Sequence, residues 1–98
     1  MAREMVVVIF NSSIESEMME ALRTGGVTCF TKVPGIQGYG EHSDPRLDSH
    51  VWPGTNTMLM ICLEPEIKEG VLGAIRAMKE KHLEEGVRAF VLPVLETI

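Results

Sequence analysis

The sequence predicts an α+β fold, a four-stranded antiparallel sheet with two helices on one face in the order βαββαβ. Three observations lead there. Four strand-like apolar runs, at residues 5–10, 27–33, 57–63 and 87–94, are interleaved with two segments of helical apolar spacing. Glycines follow each helical segment, and a proline opens the second. Between the second and third strands lies a loop over residues 34–56, far longer than the roughly 2–5 residues of a hairpin connection.

Residues 5–10 (MVVVIF) form a continuous β-branched and aromatic run, the pattern of a buried strand. Ser12 then opens an S-x-x-E capping box with Glu15. Ile14, Met18, Ala21 and Leu22 follow at helical spacing, with Glu15, Glu17 and Arg23 elsewhere on the wheel. Gly25 and Gly26 end this helix. Residues 27–33 (VTCFTKV) read as the second strand and 57–63 (TMLMICL) as the third. Pro65 suits the first turn of the second helix, whose inner face is Val71, Ala74, Ile75, Met78 and His82. Gly70 and Gly73 weaken its early turns by roughly 1 kcal/mol each relative to alanine, and Gly86 stops it. Residues 87–94 (VRAFVLPV) are the fourth strand, with Pro93 confining its end to an edge or a bulge. This is the element order of a ferredoxin-like sandwich. Cys29 and Cys62 fall inside strand-like runs and read as buried, reduced thiols.

The 98 residues make one domain, 1–98, and 45% hydrophobic content supplies a core. A net charge of −5 without a lysine or arginine cluster argues against nucleic acid as the main partner, because phosphate backbones need a basic face. The apolar run near the N-terminus is too short for a signal-peptide core or a bilayer span. A cytoplasmic location without membrane insertion is the expectation.

The strands carry a further message. A sheet with helices on one face and water on the other should alternate apolar and polar residues. Residues 5–10 and 58–63 do not alternate. Leaving four to six such side chains wet would forgo roughly 1.5–3 kcal/mol each, so a homo-oligomer packed sheet against sheet is expected.

With this element order, a long loop after the second strand and a second apolar sheet face, the chain resembles the nitrogen-regulatory PII superfamily. Residue-level support is the V-x-G stretch Val33-Pro34-Gly35 followed by Gln37, which looks like the glycine-containing base of that family's T-loop. His50-Val51-Trp52-Pro53-Gly54-Thr55-Asn56 looks more like divergent PII-like proteins, some associated with metal efflux or transporter regulation. CutA-type trimers share the architecture and are a second relative. The resemblance implies a homotrimer with the sheets inside and effector sites in clefts between subunits. It also implies a loop that contacts a target protein, a transporter or an enzyme. The effector set it implies is Gly35, Gln37, Gly38, Tyr39, Trp52, Lys79 and Arg88, with Gln37 near the family's effector- and magnesium-binding glutamine.

Two departures count. The family's Y-x-G-x-x-Y modification motif is absent, and Tyr39 stands alone near the loop base. Where the family has a glycine- and lysine-rich phosphate-binding turn, this chain has Lys81-His82-Leu83-Glu84-Glu85-Gly86-Val87-Arg88. Two carboxylates there repel phosphate, which argues against ordinary ATP and 2-oxoglutarate sensing.

Other residues carry alternatives. His42, Asp44, Asp48 and His50 bring imidazoles and carboxylates suited to a divalent metal into one loop, at a spacing that is also ordinary polar loop composition. His82 is either a capping histidine, favoured by the helix dipole, or a further metal ligand. Trp52 either stacks on a ligand or plugs the loop against the body. Gly35, Gly38 and Gly40 are no P-loop, since no G-K-[ST] follows, but can present backbone N–H groups to an anion. No Ser-His-Asp or Cys-His arrangement is evident. The reading is a non-enzymatic regulatory module. Its alternatives are a metal-binding or metal-tolerance protein of the same fold, and a small enzyme with the loop as lid.

Overall fold

The computed structural model describes residues 4–38 and 54–98. Its elements are β1 (Glu4–Asn11), a 3₁₀ turn (Ser12–Ile14), α1 (Glu15–Thr24), β2 (Thr31–Ile36), β3 (Asn56–Leu63), α2 (Pro65–Lys81) and β4 (Val87–Pro93). The sheet is antiparallel throughout, in the order β2-β3-β1-β4. This is the ferredoxin-like sandwich that the element order implies. Among the described residues no helix is long and apolar enough to cross a membrane.

The pleat of the two central strands sorts their side chains. Val6, Val8 and Phe10 of β1 are buried, as are Leu59, Ile61 and Leu63 of β3. They meet Ile14, Met18 and Leu22 from the first helical region and Val71, Ile75 and Met78 from α2. The helical spacing read in the sequence therefore identifies both inner faces. The alternate residues Met5, Val7 and Ile9 of β1 lie opposite Cys62, Met60 and Met58 of β3. On the other side they lie opposite Leu92, Phe90 and Arg88 of β4. Directly opposed residues share a face, so this second face is a continuous apolar surface, with Phe90 48% and Leu92 46% exposed. The described residues leave it uncovered.

Several sequence expectations shift. The capping box does not form. Asn11 caps the 3₁₀ turn by accepting from the Ser13 N–H at 2.9 Å, while Ser12 and Glu15 turn toward β3. The strand expected from residue 27 starts only at Thr31, and it runs on through Pro34 and Gly35 to Ile36. Pro34 is tolerated because β2 is an edge strand whose register shifts between Val33 and Ile36. The long connection thus lies between Ile36 and Asn56, narrower than the loop read at 34–56. Cys29 and Cys62 are free but exposed, not buried: Cys29 precedes β2, and Cys62 points to the uncovered face. Pro93 closes β4, itself an edge strand, as its chemistry requires.

The helices run antiparallel, with the C-terminus of α1 against the first turns of α2. A Cβ built on Gly70 would lie 2.5 Å from the Gly25 carbonyl oxygen, and one built on Gly25 would lie 2.8 Å from that of Gly70. Gly73 has nothing within 4 Å. These two glycines of α2 should therefore respond oppositely to alanine. Gly73→Ala should raise stability by about 1 kcal/mol, the ordinary helix-propensity gain. Gly70→Ala should lower it, because backbone crowding outweighs that gain. Urea denaturation of both variants checks the pair.

Candidate functional site

One end of the sheet collects the chemistry. The C-termini of β1 and β2, the N-termini of β3 and β4, the start of α1 and the end of α2 all meet there. The long loop departs from the same end.

At the β2 edge, the loop leaves through Gly35, Gln37 and Gly38. Gly35 is exposed, with φ +68 and open space around a notional Cβ. Gly38 abuts Asn56, whose Nδ2 would be 3.2 Å from a Cβ at that position. The loop returns through Gly54, at φ 104, and is fastened at once. The Ser12 N–H donates to the Thr55 carbonyl at 2.9 Å. Thr57, the one buried polar residue among those described, donates its hydroxyl to Glu15 Oε1 at 2.8 Å. Its single proton being committed, Thr57 accepts from Ser12 at 2.9 Å, and Ser12 accepts from Thr55 at 3.2 Å. Lys32 Nζ completes the chain on Glu15 Oε2 at 2.9 Å. Those bonds from Lys32, and then from Thr57, hold the Glu15 carboxyl below its usual range.

At the β4 edge, α2 ends in a turn that feeds Val87. His82 caps the helix, its N–H donating to the Met78 carbonyl at 2.9 Å. Its ring is clamped on both sides: Nδ1 lies 2.9 Å from Glu85 Oε1 and Nε2 3.0 Å from Glu17 Oε1 of α1. Lys81 also pairs with Glu17. The carboxylates raise the His82 pKa, Glu85 first and then Glu17, against partial desolvation. Lys79 Nζ donates to the Val87 carbonyl at 2.8 Å, tying α2 to β4. Gly86 turns the chain at φ 86. Arg88 is exposed on the uncovered face, opposite Ile9.

Of the residues read from sequence, Gly35, Gln37 and Gly38 gather at one edge of this end, and Lys79, His82 and Arg88 lie toward the other. Within the chain they do not meet. Tyr39, Trp52, His42, Asp44, Asp48 and His50 lie outside the described residues. His82 stands at the C-cap of α2, with its two ring nitrogens facing Glu85 and Glu17. Among the described residues no group of three or more histidine, cysteine and acidic side chains is arranged to hold a metal. Lys79 is committed to a structural bond. Sequence reasoning missed the Thr55–Ser12–Thr57–Glu15–Lys32 chain, because S-x-x-E has a commoner local meaning. It also missed Glu17 as a partner of His82. The i,i+3 spacing of His82 and Glu85 was a usable signal, whereas Glu17 is 65 positions away.

Comparisons place this geometry. The family model of nitrogen regulatory protein P-II matches residues 3–98. No curated protein matches the chain in sequence. Among solved structures, it is similar to CPII, a nitrogen regulatory PII-like protein from Thiomonas intermedia K12 bound to ADP, AMP and bicarbonate. The TM-score is 0.72 at 15% identity, covering 96% of this chain and 93% of that one. A protein from Thermus thermophilus, described as PII-like and signalling, gives 0.65 at 22% identity, covering 94% and 85%. A protein from Pediococcus pentosaceus gives 0.65 at 21%, covering 100% and 97%.

The clamp sets a pH dependence. A raised folded-state pKa means that His82 contributes stability in full below its unfolded value, near 6.5, and loses it as pH rises through the folded value. The urea midpoint of the wild type should therefore fall relative to His82→Gln as pH is raised past 6.5, and Glu17→Gln should reduce that difference. Parallel midpoints across this range would show that the ring is not clamped.

Proposed function

The chain belongs to the nitrogen regulatory protein P-II family, and we propose that it is a non-enzymatic regulator that works as a homotrimer. It binds a small effector in clefts between subunits and contacts a target protein through the loop between Ile36 and Asn56. One observation carries this reading. The loop base and the turn before β4 lie at the same end of the sheet but on opposite edges of the order β2-β3-β1-β4. Three strand spacings separate those edges, about 14 Å. An anion as small as bicarbonate, or the phosphate end of a nucleotide, cannot touch both within one chain. A second copy, docked on the uncovered apolar face, brings the turn of one subunit to the loop base of the next.

The effector is read as an adenine nucleotide with few phosphates, or an anion as small as bicarbonate. CPII is bound to such ligands, and that supports their class here. The turn from His82 to Gly86 supports the same preference. Glu84 is exposed in it and Glu85 is drawn to His82, so added phosphates meet negative charge. Arg88, exposed at the start of β4, is the cation that receives the anion in this reading. Gln37 and Gly38 supply the loop side.

Calorimetry with AMP, ADP, ATP and bicarbonate tests this. AMP or ADP should bind severalfold more tightly than ATP, and Arg88→Ala should weaken binding at least tenfold. Tighter binding of ATP would refute the charge argument. For assembly, light scattering on a size column should give three chains per particle. Met60→Glu, at the centre of the uncovered face, should break the particle down, because a buried unpaired charge is costly. A clean monomer of the wild type at micromolar concentration would remove the basis of the clefts.

A further inference from the structure

We propose that Cys29 and Cys62 form a reversible disulfide site, and that closing it extends β2 along β3. The register carries the first half. β2 and β3 pair as Val33↔Met58, Lys32↔Leu59 and Thr31↔Met60, and there the ladder stops. Two further steps along the same register set Cys29 directly opposite Cys62. Both then fall on the face that carries Thr31 and Met60. Directly opposed antiparallel residues have Cα atoms about 4.5–5.5 Å apart, within the roughly 4.4–6.8 Å that a disulfide spans. Both thiols are free and exposed in the chain.

The second half rests on what the early end of the ladder leaves behind. Ile61, Cys62 and Leu63 have β1 as a ladder partner but none on the β2 side. A groove of about 610 Å³ lies beside that edge, between α1 and β3, lined among others by Met19, Leu22, Phe30, Leu59 and Ile61. Phe30 sits on it 45% exposed. The register that opposes Cys29 to Cys62 also opposes Phe30 to Ile61, on the helix side. Extending the ladder by these two residues presses the Phe30 ring onto Leu59 and Ile61 and closes part of the groove. The sequence favours that state too, since VTCFTKV reads as strand from end to end. The bridge and the apolar contact thus stabilise the same conformation from opposite faces of the strand.

The chemistry is thiol–disulfide exchange with a small disulfide RS–SR, such as oxidised glutathione. The Cys29 thiolate, on the accessible edge, attacks one sulfur. A Cys29–SR bond forms, the RS–SR bond breaks, and the departing thiolate takes a proton. The Cys62 thiolate then attacks the Cys29 sulfur, forms the Cys29–Cys62 bond and expels the second RSH. Two protein thiols are oxidised and one small disulfide is reduced to two thiols, so electrons and protons balance. A dithiol reverses the reaction.

The test uses the full chain, as an equal mixture of unlabelled and nitrogen-15-labelled protein, incubated with oxidised glutathione. Intact mass should fall by two hydrogens without retained glutathione. Trypsin should release residues 24–32 joined to residues 47–68, with both halves of one isotope. Amide exchange at residues 29–30 and 61–63 should slow on oxidation and recover with dithiothreitol. Cys29→Ser and Cys62→Ser should each lose the two-hydrogen mass change and the protection, and Cys62→Ser should retain one glutathione on Cys29, at the strand edge. Glutathione held on both cysteines, or a bridge joining unlike isotopes, would overturn the site. An intrachain bridge without slower exchange would overturn the strand extension.

Discussion

The structure depends on one mismatch: strands that are apolar on both faces and, among the described residues, two helices that cover one of them. β1 and β3 are paired along their full length, from Glu4↔Leu63 to Asn11↔Asn56. Their period-two alternation sends Val6, Val8, Phe10, Leu59, Ile61 and Leu63 to the helices. It leaves Met5, Val7, Ile9, Met58 and Met60 on the far side, where Phe90 and Leu92 of β4 join them. A one-residue slip would exchange the two sets without changing the apolar balance much. What fixes the register is therefore size and polarity at single positions. Thr57 must reach Glu15 on the helix side, and Arg88 is tolerated only on the open side.

The helix layer answers to a second constraint, the close approach of Gly25 and Gly70. Each backbone occupies the space a side chain would need on the other. That contact fixes how far the C-terminus of α1 can stand from the start of α2. With the helices antiparallel, it also fixes what meets at their other ends. Glu17 reaches His82 and Lys81 there, and Glu15 reaches Thr57 and Lys32. A packing contact at one end of the molecule thus sets the polar geometry at the end where the loop departs.

The same physics decides how much the sequence discloses. The inner faces of both helices were legible because 3.6-residue spacing has few other meanings over ten or more positions. Element order followed, and with it the fold. The two-sided apolar strands were legible for the same reason, since failed alternation is a pattern. What failed were local signals with a tertiary competitor. Ser12-x-x-Glu15 reads as a capping box, but a buried Thr57 hydroxyl outcompetes the helix N-terminus for Glu15. Residues 27–30 read as strand, yet Val27 is drawn under α1 by its N–H bond to the Leu22 carbonyl at 3.0 Å, and pairing waits until Thr31. Of the candidate site, the residues at the loop base and turn were legible as types. Their placement on opposite edges was not, because strand order is a long-range property.

The two polar ties at the loop end share one element, the first turn of α1. Glu15 fastens the β2 and β3 side of the site, and Glu17 fastens the turn before β4. Across the sheet β2 and β4 are separated by two strands, but through α1 the two ties are two residues apart. The ties titrate in opposite senses. The lowered pKa of Glu15 makes its contribution full above the unfolded value of 4.5 and lost as pH falls through the folded one. The raised pKa of His82 makes its contribution full below 6.5 and lost as pH rises through the folded one. Both are therefore at full strength between those two values. Above that window the first to loosen is the turn that precedes Arg88, while the loop base stays fastened. The loop base and the turn before β4 are thus held by groups with different pH responses, and the part whose hold weakens as pH rises is the one that leads into Arg88.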